Sequence, residues 1–210
     1  NDASEQTLTC IHIHPKWIEA CDRYQISRFR LPTGITTKTL VRKESIKHIV
    51  GLGMAEFSET KSWLHFRNST GVTISCRRFV EDYPPLAEYL KVEGTEAALP
   101  KGLQEAVERA EEFSKENADC NMVKIELKKN LLILKGLGIS GWYAEKKKLS
   151  YEGREIAFLI APKILTETAK KSNKCIISQD KIKVEGGKWK YVTVLSKVSD
   201  NGHVEDTSDE

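Results

Sequence analysis

Residues 122–149, MVKIELKKNLLILKGLGISGWYAEKKKL, decide how the rest of the chain is read. Val123, Ile125 and Leu127 alternate with charged residues, Leu131 to Leu134 form a short apolar run, and residues 142–149 resume the pattern after a cluster of glycines. Period-two alternation broken by turn residues predicts antiparallel strands. Just upstream, residues 102–116 space Leu103, Ala106, Val107, Ala110 and Phe113 three and four apart behind Pro100, which predicts a helix with one apolar face. Downstream, residues 162–171 predict a second helix, with Ile164, Leu165 and Thr168 inward and Lys163, Lys170 and Lys171 outward, ended by Ser172-Asn173. Residues 175–195 then read as two strands around a Gly186-Gly187 turn.

Much of this order recurs about one domain length earlier. TLTCIHIHPKWIEACDRYQISRFRL (7–31) supplies strands, and TLVRKESIKHIVGL (39–52) a strand and a short helix over 44–52 with Ile46, Ile49 and Val50 inward. WLHFRNSTGVTISCRRF (63–79) supplies a closing pair of strands. Copies of one unit commonly stack into a larger surface, which favours assembly and binding over catalysis. At 210 residues the chain accommodates two units of about 100 residues, each large enough for its own core. The expected division is 1–92, 93–198 and an acidic tail, 199–210, with 91–100 as linker. No counterpart of the helix at 102–116 is evident upstream, so the sequence reads as beginning inside a domain.

The five cysteines are odd in number, widely spaced and free of CxxC, which argues against a disulfide framework and a zinc clip and favours reduced cytoplasm. The Asn68-Ser69-Thr70 sequon then carries no glycan. No apolar run reaches the roughly 18 residues a spanning helix needs. Net charge is +3, but the last twelve residues hold five acids and no Lys or Arg, leaving the preceding 198 at +8. A tail of that composition reads as disordered, and a basic body suits a polyanionic partner.

Three patterns invite chemistry. Gly136, Gly138 and Gly141 spell GxGxxG, but WYAEKKK follows where a dinucleotide site needs a helix, so a hairpin turn is the preferred reading. Cys10, His12 and His14 alternate on one strand face as metal ligands would, yet no fourth ligand stands at a recognisable spacing, and a half-buried sheet surface is preferred. Glu105, Glu108, Glu111 and Glu112 read as a solvated helix face, and no nucleophile-base-acid set is evident. By contrast Arg42, Lys43, Lys47, Lys163, Lys170, Lys171 and Lys174 lie on or near two helices in equivalent places of the two copies. Facing one side, they would meet phosphates without reading bases; scattered solubilising lysines are the alternative.

LPKGLQEAVERAEEFSKE, VKIELKKNLLIL, YEGREIAF leading into PKILTETAKK, and the closing KYVTVLSKV resemble the third domain of the bacterial DNA polymerase III beta subunit, the sliding clamp. Residues 8–90 resemble most of its second domain: ACDRYQIS stands where the family has a motif of the type ATDGHRLA, and FVEDYPPL where it has one ending FPDY. The resemblance implies an α+β fold of tandem clamp domains, each an antiparallel sheet with up to two helices, six domains forming a ring around duplex DNA. It implies a processivity factor without catalysis or cofactor, whose partners are double-stranded DNA, polymerases, the clamp loader and, given a first domain, a second copy closing the ring. Partner peptides would enter a pocket of Tyr24, Gln25, Ile26, Pro84, Leu86, Ile164, Val192, Val194, Leu195 and Lys197.

The sequence departs from the pattern in four ways. Arg23-Tyr24-Gln25 replaces Gly-His-Arg, which changes the pocket rim. The first domain and the first helix of the second are expected to be missing. The helix at 102–116 is acidic where a pore lining favours Lys and Arg, and the tail runs past the usual end. A clamp-like adaptor that binds replication proteins without forming a ring is therefore a second expectation, and a metal- or nucleotide-dependent enzyme a third.

Overall fold

A computed structural model of the chain describes residues 3–116 and 121–198. The acidic tail falls outside the described residues. The elements run α1 (Ala3–Leu8), β1 (Cys10–His14), β2 (Trp17–Cys21), β3 (Gln25–Arg30), β4 (Thr39–Arg42), α2 (Lys43–Val50), β5 (Met54–Glu59), β6 (Trp63–Asn68) and β7 (Thr73–Arg77). They continue β8 (Thr95–Ala98), α3 (Leu103–Ser114), β9 (Val123–Lys128), β10 (Leu131–Leu137), β11 (Trp142–Lys148), β12 (Ile156–Ile160), α4 (Pro162–Lys171), β13 (Lys174–Ile177), β14 (Lys181–Gly186), β15 (Trp189–Val194) and β16 (Ser196–Lys197). Two compact units divide the chain, Asn1–Glu88 and Tyr89–Glu210.

Within each unit the strands pair antiparallel, and the two units repeat one plan. In unit 1, β4-β1-β2-β3 are neighbours in that order, α2 follows β4, and β5-β6-β7 form a second sheet. Unit 2 orders β12-β9-β10-β11 in the same way, places α4 after β12, and pairs β13-β14-β15. The α+β architecture read from the sequence is the one observed.

Alternation sets the faces of unit 2. Val123, Ile125 and Leu127 of β9 and Leu132 and Leu134 of β10 are buried under α3, whose Leu103, Ala106, Val107 and Ala110 turn onto them. A glycine fixes how close that helix lies: a Cβ on Gly136 would stand 2.0 Å from the carbonyl oxygen of Ala110. Arg109 then pins the helix to the strand beyond, donating to the Tyr143 hydroxyl at 2.8 Å and pairing with Glu145 at 2.6 Å. Hydrogen bonds from Tyr143, Arg109 and Lys147 hold the Glu145 carboxyl down to about 2. The β14–β15 turn uses Gly187 at φ +57°, the left-handed region a two-residue hairpin demands.

Several expectations need correction. Residues 91–100, read as a linker, contain β8, which pairs with β13 through Thr95 to Ala98. Val50, expected inward on α2, is 76% exposed, whereas Ile49 is buried. A six-residue helix, α1, stands ahead of β1 as α3 stands ahead of β9, and so short a segment has too little periodicity to read.

Gly136→Ala is expected to destabilise the protein by ~1–3 kcal/mol through overpacking against α3. Gly51→Ala, where nothing lies within 4 Å and φ is −76°, should stay within ~0.5 kcal/mol. Melting temperatures of the two variants side by side check this.

Candidate nucleic-acid interface and partner surface

The basic residues follow from helix geometry. In α2 the sequence KESIKHIV buries Ile49, so Lys43 and Lys47 project to solvent at four-residue spacing, behind Arg42 at the N-cap. Arg42 is exposed and its guanidinium lies 5.5 Å from the Phe79 ring. In α4, Pro162 starts the helix, Leu165 and Thr168 turn inward, and Lys163, Lys170 and Lys171 are turned to the outer side; Lys170 pairs with Glu167 at 2.9 Å. Lys174 is exposed at the start of β13. Each of the two helices at the repeated position thus presents flexible cations against one glutamate, chemistry suited to phosphate rather than to base edges. The third long helix is the opposite: α3 carries four glutamates and one arginine.

The partner-pocket candidates divide by burial. In unit 1, Tyr24 is 58% exposed, Gln25, Ile26 and Pro84 are half-buried, and Leu86 is buried at 4%. Asp22 shapes this corner, accepting from the backbone amides of Tyr24 and Gln25 at 2.8 Å and from Gln25 Nε2 at 2.8 Å, an Asx turn that ACDRYQIS encodes. In unit 2, Val192 and Leu195 are buried at 4%, Ile164 is half-buried, and Val194 (40%) and Lys197 are exposed. Leu195 belongs to the core of unit 2, with Ile164 packed against that core.

The three alternating residues of β1 serve other ends. His12 Nδ1 lies 2.7 Å from Glu19, and Glu19 takes Arg28 at 2.6 Å, so three neighbouring strands share one hydrogen-bonded chain centred on a buried carboxylate. His14 stacks on Trp17 with centroids 3.5 Å apart, and the Cys10 thiol donates to the Gln6 carbonyl. Among the described residues no group of three His, Cys, Asp or Glu is placed to hold a metal. The GLGISG run is a β10–β11 hairpin turn closed by a Gly138 amide to Gly141 carbonyl bond, and the Phe113 carbonyl and Glu116 crowd Gly138. Sequence reasoning missed the His12–Glu19–Arg28 chain, because its members lie on different strands and only the β1–β2–β3 register aligns them. It also missed a buried Arg78 that binds Glu59, Thr39 and the carbonyls of Thr37 and Thr60.

No protein-family model matches the chain, and no curated protein matches it in sequence. Solved structures do match. The DNA polymerase III beta chain of Streptococcus pneumoniae aligns over 94% of this chain and 59% of its own, at a TM-score of 0.77 and 16% identity. The beta subunit from DNA polymerase of Streptococcus pyogenes aligns over 93% and 60%, at 0.75 and 21%, and the DNA polymerase III beta subunit of Thermotoga maritima over 95% and 60%, at 0.74 and 13%. The chain has the sliding-clamp fold. It spans about three-fifths of the length of these clamps. Among the described residues no helix is long and apolar enough to cross a membrane.

The Glu19 carboxylate at the centre of this chain gives unit 1 a measurable pH dependence. Burial pushes the Glu19 carboxyl up, but hydrogen bonds from His12 and Arg28 outweigh it and hold it below the usual range. A carboxyl so held contributes stability above its unfolded value near 4.3 and loses it as pH falls through the lower native one. Glu19→Gln is expected to cost on the order of 2 kcal/mol at pH 7 and to flatten the loss of stability on acidification below about pH 4, measured as melting temperature against pH.

Proposed function

We propose that this chain is a sliding-clamp component: a cytoplasmic processivity factor, without a catalytic site or cofactor of its own, that holds polymerase on duplex DNA. The supporting observation is the clamp fold carrying two basic helices, α2 and α4, at the same place in each repeat. In a clamp that encircles DNA, weak phosphate contacts let the protein slide while topology prevents escape, so lysines that never read a base suffice. Arg42, Lys43, Lys47, Lys163, Lys170, Lys171 and Lys174 are the proposed DNA-facing residues. Polymerases, the clamp loader and other clamp-binding proteins are the proposed partners, with a ring of copies where a preceding domain is present.

The proposed peptide contacts rest on the side chains exposed or half-buried in each unit: Tyr24, Gln25, Ile26 and Pro84 in unit 1, and Ile164, Val194 and Lys197 in unit 2. Leu86, Val192 and Leu195 would support that surface from beneath, since each is only 4% exposed. A second reading, an adaptor that binds replication proteins without encircling DNA, is favoured by the acidic outer face of α3.

Primer extension by the cognate polymerase on long templates tests the first reading: product length should rise with added protein, and no gain supports the adaptor. Lys170→Glu with Lys171→Glu should weaken DNA binding uniformly across sequences. The slope of log affinity against log salt should fall by about 0.9 for each phosphate that the two side chains no longer neutralise, read by fluorescence anisotropy. Val194→Asp should weaken a polymerase-derived peptide at least ten-fold in the same assay while leaving DNA affinity unchanged; equal peptide affinity would refute the placement.

A further inference from the structure

Alternation divides the three-stranded sheet of unit 1, in which β6 lies between β5 and β7, into two faces. Leu64 and Cys76 are buried in the core of the unit, and Phe66 and Ile74 pack against it. Period two therefore turns Trp63, His65 and Arg67 of β6 and Thr73, Ser75 and Arg77 of β7 to the opposite face. Register then sets Trp63 against Arg77, His65 against Ser75 and Arg67 against Thr73. From β5, Ser58 stands opposite His65 and Glu56 opposite Arg67.

The composition of this outer face is selective. Arg28 and Arg78 are committed to Glu19 and Glu59 inside the fold, whereas Arg67 and Arg77 are exposed. Lys61, at the β5–β6 turn beside Trp63, is exposed as well, and Glu56 is the one acid on the face among the described residues. The rings are fixed in place. The Trp63 amide donates to Thr60 Oγ1 at 3.2 Å and its carbonyl accepts from the Thr60 amide at 2.9 Å, while the residue stays 45% exposed. His65 Nδ1 lies 2.7 Å from Ser75 Oγ, which ties the imidazole to β7. Alternate residues along a strand are roughly 7 Å apart, so the central strand offers an indole, an imidazole and a guanidinium in one evenly spaced row.

We propose that this face binds single-stranded nucleic acid: unpaired bases stack on Trp63 and His65, and Arg67, Arg77 and Lys61 neutralise the phosphates. Stacking needs no particular base, because every base has a π-face, so the site accepts any sequence. Duplex offers such a face only at its ends. An acidic protein segment would satisfy the arginines but give the two rings nothing to do, and for that reason the nucleic acid is the occupant. The site shares no residue with the basic helices α2 and α4, and stands or falls separately from the processivity reading.

Fluorescence anisotropy of labelled oligothymidylate and oligouridylate, each of about 16 nucleotides, against the 210-residue chain tests it. Binding to either, weakening as salt rises, is expected, and the two arms tell DNA from RNA. Trp63→Ala should weaken binding at least about five-fold, a loss in the range of one stacked base, and leave duplex affinity unchanged; Trp63→Phe, which keeps a ring, should retain most of the affinity. Arg67→Glu with Arg77→Glu should lower the slope of log affinity against log salt by about 0.7 for each phosphate released. Binding to neither oligonucleotide, a Trp63→Ala chain that binds like the unmodified one, a Phe variant as weak as the Ala variant, or displacement by oligoglutamate at equal charge would overturn the proposal. Photocrosslinking of a 4-thiothymidine oligonucleotide to the unmodified chain gives a reading independent of variant folding. Adducts should map to β6 and β7, and adducts confined to other segments would likewise overturn it.

Discussion

The structure depends on one close approach, the backbone of α3 against the β9–β10 sheet at Gly136. Because no Cβ intervenes, Ala106, Val107 and Ala110 pack into one buried cluster with Ile125, Leu132 and Leu134, and a sheet with one apolar face becomes a two-layer unit. Twenty-one buried residues form that core among the described ones. Unit 1 repeats the strand plan with only the short α1 in the place of α3, and its core cluster holds six. There ionic and hydrogen-bonded side chains span strands that apolar packing joins in unit 2: His12–Glu19–Arg28 across β1 to β3, and Arg78 across Thr39, Glu59 and Thr60. Such networks add little net energy over apolar packing, but they penalise any register that leaves a member unpaired. We infer that unit 1 obtains its specificity of pairing from these charges.

The same division of roles sorts the helices by charge. A helix on a sheet commits its apolar stripe to the core, and the outer face is free to carry whatever function requires. At the repeated position after β4 and after β12 that face is basic in both units, though their sequences, KESIKHIV and PKILTETAKK, share little beyond the pattern. The DNA-facing role proposed above would give that shared charge a use in each unit. The acidic outer face of α3, with four glutamates and one arginine, has the opposite character and is unsuited to phosphate.

Legibility followed periodicity. The helices at 103–114 and 162–171 were readable because their apolar residues recur at three and four over at least two turns, and the hairpins because Gly187 and the 136–141 glycines punctuate alternating runs. α1 and β8 were not, at six and four residues, with burial that comes from neighbours distant in sequence. Val50 misled because a β-branched residue beside Ile49 looks inward, yet α2 ends at that turn and exposes it. Candidate cations could be named from sequence since exposed lysine is the default, whereas the burial of candidate pocket residues could not: KYVTVLSKV alternates like a half-buried strand, and only tertiary packing sends Val192 and Leu195 inward and Val194 outward.

That last division bears on how a partner peptide would be recognised. A buried Leu195 anchors the strand end to the core of unit 2, and its loss costs folding before it costs affinity. Under the proposed reading, the side chains open to a ligand are Val194 and Lys197 in unit 2 and, taken by itself, Tyr24 in unit 1. The Asp22 turn fixes the Tyr24 backbone, and the residue is 58% exposed. An aromatic ring presented on a rigid turn is an effective anchor, because little rotamer entropy is lost when a peptide covers it. Under the proposed reading, Arg23-Tyr24-Gln25 in the place of the family's Gly-His-Arg would present a tyrosine ring where the family has histidine. We infer that the preferred peptides of this surface carry an apolar or aromatic residue where they cross Tyr24.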